Sequence, residues 1–149
     1  MIVDAYTHIL PAGYQAMLEE KITDRDMSLN SARYAQTIPT LVDLEARFRL
    51  MDDFGEYIQV VSVASPPVHS IAPPAVAAEL CRAANDELAE MVLKYPHRFA
   101  AGIATLPMND MDAALKEAQR AIKDLRLRAV ELYTDINGQP LDAPQFMPL

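Results

Sequence analysis

The 149-residue sequence has no tryptophan, one cysteine and four glycines. The single cysteine, Cys81, excludes an intramolecular disulfide and any cysteine-rich zinc site. It falls inside a helical pattern, where a thiol is expected to be buried and inert. Neither Gly-x-Gly-x-x-Gly nor a P-loop occurs, so a nucleotide-binding doubly wound fold lacks its main signature. No apolar run is long enough to span a bilayer, and no charged leader precedes an apolar stretch. The resulting expectation is a soluble protein of the reducing cytoplasm with no membrane partner. Positive charge is scarce as well: 13 Lys and Arg stand against 21 Asp and Glu, a net charge of −8. Phosphate binding needs clustered Lys and Arg, and only short pairs such as Arg126 and Arg128 occur, which argues against a nucleic-acid partner.

What is present starts at the first residues. Residues 2–11, Ile-Val-Asp-Ala-Tyr-Thr-His-Ile-Leu-Pro, read as a strand ended by proline. Alternation along a strand puts Ile2, Asp4, Tyr6 and His8 on one face and Val3, Ala5, Thr7 and Ile9 on the other. An acid, a phenol and an imidazole lined up on a buried strand are costly unless paired, hydrated or bound to a metal. The strand is therefore a candidate floor for an active site.

The rest alternates. Residues 11–39 carry charged clusters with weak periodicity and read as a loop or lid insertion with short helices. Residues 40–54 form a helix with the stripe Leu41, Leu44, Phe48 and Met51, capped by Thr40 and ended by Gly55. Residues 58–64 are β-branched and almost continuously apolar, as in a strand covered on both faces. A long helix over 73–95, a strand over 99–106 and a helix from Asn109 or Asp110 to about Leu125 follow. The last helix is expected to face Leu115, Ala118, Ile122 and Leu125 inward. Residues 129–134 read as a fourth strand and Asn137-Gly138 as a turn. Strands alternating with helices imply parallel pairing through right-handed crossovers. The fold class is α/β, a partial (β/α)8 TIM-type barrel of about four strands, in a single domain over 1–149.

Several chemically active side chains fall where such a barrel works. His8 is the metal candidate, because a neutral imidazole at a strand end suits Zn²⁺. Asp4 and Glu131 point into the barrel by alternation and are the candidate catalytic acids, for proton transfer or for support of a ligand-binding group. Tyr6, His69 and Tyr133 are candidate substrate contacts; His69 follows the second strand, and Tyr133 and Asp135 share the face of Glu131. Each has a plainer reading: a solvated strand end, hydrated acids, a surface-loop histidine. Asn85 and Asp86, inside the long helix, are expected to pack or to form a salt bridge.

The set of motifs resembles the amidohydrolase-related superfamily, in the branch of aminocarboxymuconate-semialdehyde decarboxylase and related aromatic-acid decarboxylases. Chains of that branch open with Asp-x-His-x-His, an aliphatic residue and proline. The matching residues are Asp4, Tyr6, His8, Ile9 and Pro11. Tyr6 stands at the place of the first metal-binding histidine, His8 at that of the second. Cys81 to Leu88, Lys94 to Phe99, Ala104 to Met108 and Glu131 to Asp142 are similar to later parts of the family's barrel. The resemblance implies zinc or another divalent metal and a hydrolase or decarboxylase acting on a small carboxylated, often aromatic, substrate. It also implies that the family's later ligands, a histidine on the fifth strand and an aspartate on the eighth, lie beyond Leu149. A closed barrel needs eight strands and about 250 residues. An open half-barrel is expected to pair its edges as a homodimer or higher oligomer, or to take its other half from a partner chain. A non-catalytic subunit or binding scaffold is the alternative.

Overall fold

A computed structural model describes residues 1–22, 37–64 and 66–149. Four parallel strands, β1 (Ile2–Ile9), β2 (Tyr57–Val63), β3 (Phe99–Ala104) and β4 (Ala129–Val130), form one sheet in the order β1-β2-β3-β4. Consecutive strands are neighbours and each crossover carries helix, as in the first half of a (β/α) barrel. The helices are α1 (Ala12–Lys21), α2 (Leu44–Asp52), α3 (Val68–Ile71), α4 (Pro74–Lys94) and α5 (Met111–Lys123). A hairpin of β5 (Asp135–Ile136) and β6 (Gln139–Pro140) follows the sheet. Its turn places Asn137 and Gly138 at φ of 52° and 78°, the left-handed pair that a two-residue hairpin demands.

The core lies between the sheet and its helices. Val61 and Val63 of β2 pack with Leu80, Cys81, Ala84 and Leu88 of α4 and with Tyr14 and Leu18 of α1. Cys81 is fully buried, and burial pushes its thiol up to about 12, which keeps it protonated and unreactive. α1 docks on α4 through Glu87, whose carboxylate accepts from the N–H groups of Gly13 and Tyr14, and through a Lys21–Glu79 ion pair. A Cβ on Gly13 would lie 2.7 Å from the Glu87 carboxylate, so a larger residue here would push that side chain aside. α1 accounts for part of the segment expected to be a lid; residues 23–36 lie outside the described set.

Several boundaries differ from the sequence expectation. Asp43, not Thr40, caps α2, accepting from the N–H groups of Glu45 and Ala46, while Pro39–Leu41 forms a 3-10 turn. On α5 the buried residues are Ala114, Glu117 and Ala121; of the expected stripe Ala118 and Leu125 pack against the core, whereas Ile122 is 42% exposed. The helix is turned because a polar pair draws Glu117 inward. Asn85 of α4 donates to Glu117 at 2.7 Å and to the carbonyl of Thr105 at 3.0 Å, and it accepts from the Thr105 N–H at 2.9 Å. Arg120 joins Glu117 to Asp86, at 2.8 and 2.5 Å. Asn85 and Asp86 therefore pack and pair as expected. The fourth strand is shorter than expected: after Glu131, whose N–H still reaches the carbonyl of Ala104, the chain leaves the sheet.

Asn85→Ala would strip partners from a buried amide, a buried carbonyl and Glu117. Each unsatisfied group costs about 1–3 kcal/mol, so chemical denaturation is expected to register a loss of roughly 3 kcal/mol or more. A loss below about 1 kcal/mol would show that the network is dispensable.

Candidate active site

The geometry of the site begins with a register shift in β1. Asp4 pairs with Gln59 and Thr7 with Val61, so three steps on β1 oppose two on β2. This bulge reverses the facing of everything beyond it. Asp4 shares the face of Gln59, Val61 and Val63, which the helices cover, and it accepts from the Tyr57 hydroxyl at 2.5 Å. His8 pairs with Ser62, on the opposite, concave face. The expectation that Asp4, Tyr6 and His8 share one face is corrected. Strict alternation holds only while the pleat is unbroken.

Tyr6, His8 and Glu131 do come together. The Tyr6 hydroxyl donates to Glu131 Oε1 at 2.6 Å, spanning the concave face from the first strand to the end of the fourth. The hydrogen bond to Glu131, with burial and the carboxylate's charge, pushes the phenol up to about 12. Tyr133 is close enough to raise it further. The Tyr6 and His8 rings meet edge to face at 4.8 Å. His8 Nδ1 lies 2.9 Å from Ser62 Oγ. The backbone carbonyl of His8 accepts from Arg47 of α2, whose other nitrogens donate to Gln59 at 2.6 Å and to the carbonyl of Thr40 at 2.9 Å. Arg47 is 5% exposed, and burial lowers its pKa.

His69 and Tyr133 form a second pair at the same rim, with rings edge to face at 5.7 Å. His69 is 5% exposed, so the plain reading of a surface-loop histidine does not hold. Its carbonyl accepts from the amides of Asn109 and Asn137, both at 3.3 Å, which tie the loop after β2 to those after β3 and β4. Burial lowers the His69 pKa, and Asp135 opposes this weakly. Arg47 and Ser62 escaped the sequence reading. An arginine in an amphipathic helix reads as solvated, whereas the lone serine in the apolar run 58–64 was a usable signal. A wider groove of about 640 Å³, lined by Leu93, Ala101, Arg126 and Arg128 among others, opens where β3 and β4 begin. In parallel barrels chemistry gathers at the other end of the strands, where Tyr6 and His8 lie.

Among the described residues no group of three or more His, Cys, Asp and Glu could hold a metal ion. His8 offers one imidazole, Tyr6 keeps its proton, and Glu131 already accepts from Tyr6. These residues alone do not fit a catalytic metal, which needs about three protein ligands and an open position.

Parallel strands, helical crossovers and a sheet in the order β1-β2-β3-β4 define a half (β/α)-barrel. The chain belongs to the amidohydrolase family, whose model matches residues 3–149. It is 37% identical over 115 residues to gamma-resorcylate decarboxylase of Polaromonas sp., covering 72% of this chain and 35% of that protein. It is 25% identical over 159 aligned positions to 2-amino-3-carboxymuconate-6-semialdehyde decarboxylase of Dictyostelium discoideum, covering 99% and 44%. The crystal structure of 5-carboxyvanillate decarboxylase from Sphingomonas paucimobilis superposes with a TM-score of 0.82 at 28% identity, over 99% of this chain and 47% of that one. A dihydroxybenzoic acid decarboxylase from Polaromonas, crystallised with manganese and the inhibitor 2-nitroresorcinol, superposes at 0.72 with 30% identity, over 99% and 45%. The chain thus spans under half the length of these relatives. No helix among the described residues is long and apolar enough to cross a membrane.

The His69 environment has a pH signature. An unfolded imidazole titrates near its ordinary value of 6.5, and the buried ring titrates lower. The stability gained from burying the neutral ring is complete above 6.5 and is lost as pH falls through the lower folded value. Thermal midpoints recorded from about pH 7.5 down to about pH 5 should fall for the native protein and fall less for His69→Gln. Equal slopes would contradict this account.

Proposed function

We propose that this chain supplies one wall of the active site of a decarboxylase acting on a small aromatic carboxylate, with hydrolysis of such a substrate as the runner-up reaction. The observation that carries it is the Tyr6–Glu131–His8 cluster on the concave face, in a chain whose curated relatives are decarboxylases. The substrate ring would lie against Tyr6, His8 and Tyr133, with His69 behind Tyr133. In decarboxylation the electrons of the carbon–carbon bond stay on the ring carbon, which then takes a proton as carbon dioxide leaves. Glu131 and Tyr6 hold one exchangeable proton between Oη and Oε1 and are the candidate route for it. Asp4 is assigned no part in this step, because it faces the helices and is bonded to Tyr57.

For a metal, zinc or another divalent ion, His8 is the contributor this chain would make, and the remaining ligands would have to come from outside the described residues. No step is routed through it. That incomplete ligand set supports a second reading, a binding scaffold without catalysis of its own. The proposed setting is a reducing cytoplasm, in keeping with the single buried thiol.

Titration of the ¹⁵N-labelled protein with 2,6-dihydroxybenzoate should move the resonances of Tyr6, His8 and Tyr133. Tyr6→Phe should weaken that response roughly fivefold, the worth of one hydrogen bond. The same titration with Mn²⁺ or Zn²⁺ should give only weak binding, abolished in His8→Ala. Absence of any response to the carboxylate would leave the scaffold reading.

The edges of β1 and β4, which pair with no further strand among the described residues, are proposed to meet a second copy or a partner half-barrel. Ile2, Val3 and Tyr6 are each more than half exposed along the first of them. Light scattering should return at least twice the 16.5 kDa of one chain, and a well-behaved monomer would count against edge pairing.

A further inference from the structure

His8 is gripped from two sides. Arg47 holds its backbone carbonyl, and Ser62 meets its ring. Ser62 is fully buried on β2 and stands opposite His8 in the ladder. Its Oγ lies 2.9 Å from His8 Nδ1 and 3.5 Å from the carbonyl oxygen of Thr7.

These two contacts bear on where the ring proton resides. A serine hydroxyl has one proton and two lone pairs, and a carbonyl can only accept. If the hydroxyl gives its proton to Nδ1, lone pairs of Oγ and of the Thr7 carbonyl face one another in a buried site. If it turns its proton to the Thr7 carbonyl, Oγ accepts from Nδ1–H and both contacts are favourable. The second arrangement is the one that leaves no buried acceptor opposed to another. The Thr7 contact is the longer and weaker of the two, and the carbonyl can only accept in it.

We propose that Ser62 is a positioning residue that locks neutral His8 in its Nδ1–H tautomer. Free histidine in water prefers the other form, with the proton on Nε2. Ser62 therefore reverses the ordinary preference. Nε2, across the ring from Ser62, carries the lone pair, so His8 meets a ligand as an acceptor and not as a donor. A substrate hydroxyl or an incoming proton is matched to that atom, whereas a bare carboxylate oxygen is not. Arg47 makes the lock effective, because it holds the carbonyl of the same residue and limits how far the strand end can shift.

The consequence for a ligand rests on the function proposed above, but the tautomer does not. It can be read from two-bond ¹H–¹⁵N correlations of the labelled protein at about pH 8, well above the ordinary imidazole range. The His8 ring is assigned by its loss in His8→Gln. The expected spectrum has a protonated-type shift at Nδ1 and an unprotonated-type shift at Nε2. In Ser62→Ala the ratio of Nδ1–H to Nε2–H forms should fall roughly fivefold or more, and Ser62→Thr, which restores the hydroxyl, should recover it. An Nε2–H form in the native protein overturns the proposal whether or not the variants fold. So does a folded Ser62→Ala whose ratio is unchanged. If the tautomer is as expected but 2,6-dihydroxybenzoate leaves the His8 ring unmoved, the substrate reading fails and the lock stands.

Discussion

A single extra residue in the first strand decides which side chains the concave face presents. Before the bulge, Asp4 lies under the helices with Tyr57 and Gln59. Beyond it, His8 lies opposite Ser62, and Tyr6 reaches Glu131 at the far edge of the sheet. Without the shift Asp4, Tyr6 and His8 would share one face, because the side-chain period of a strand is two. The cost is local, one irregular step in a ladder, and the gain is a phenol, an imidazole and a carboxylate within reach of one another. Bulges beside functional clusters act in this way, re-aiming a side chain while the strand continues.

Buried and half-buried polar groups with specific partners hold the crossovers in place. Arg47 joins α2 to the ends of β1 and β2. Asn85 joins α4 to the loop after β3, and Glu117 and Arg120 extend that link to α5. Glu87 stops the N-terminus of α1 against α4. Such groups are costly to bury singly and favourable once satisfied, so they specify one docking of each helix where apolar contact alone would tolerate several. Asn109 extends the pattern to the rim, where it donates to the carbonyls of His69 and Ala72.

The position of Tyr6 links the fold to the family. Resemblance alone puts it where a metal-binding histidine stands in related chains. In this chain the phenol is engaged with Glu131 instead, and that bond keeps it protonated. The two outer strands are thereby tied across the concave face by a hydrogen bond. The same bond occupies the two groups best placed to assist His8, so what His8 offers a ligand depends on how its own ring is held.

Much of this was legible in the residues. Period-two and period-3.6 patterns and proline stops located the four strands and the long helices, because burial of apolar side chains enforces those periods, and Asn137-Gly138 marked a turn, though not the hairpin built on it. The opening strand with His8 and the acid near the end of the fourth strand were legible for the same reason. The misplaced features share one cause. The facing of Asp4 and the turn of α5 about its axis each go with a contact between residues far apart in sequence: Asp4 with Tyr57 and Glu117 with Asn85. Local pattern settled which segments are strand or helix, because that is a matter of near neighbours. Which face each segment turns, and which polar groups meet, was left to the tertiary structure, where buried hydrogen-bonding groups must find partners across the chain.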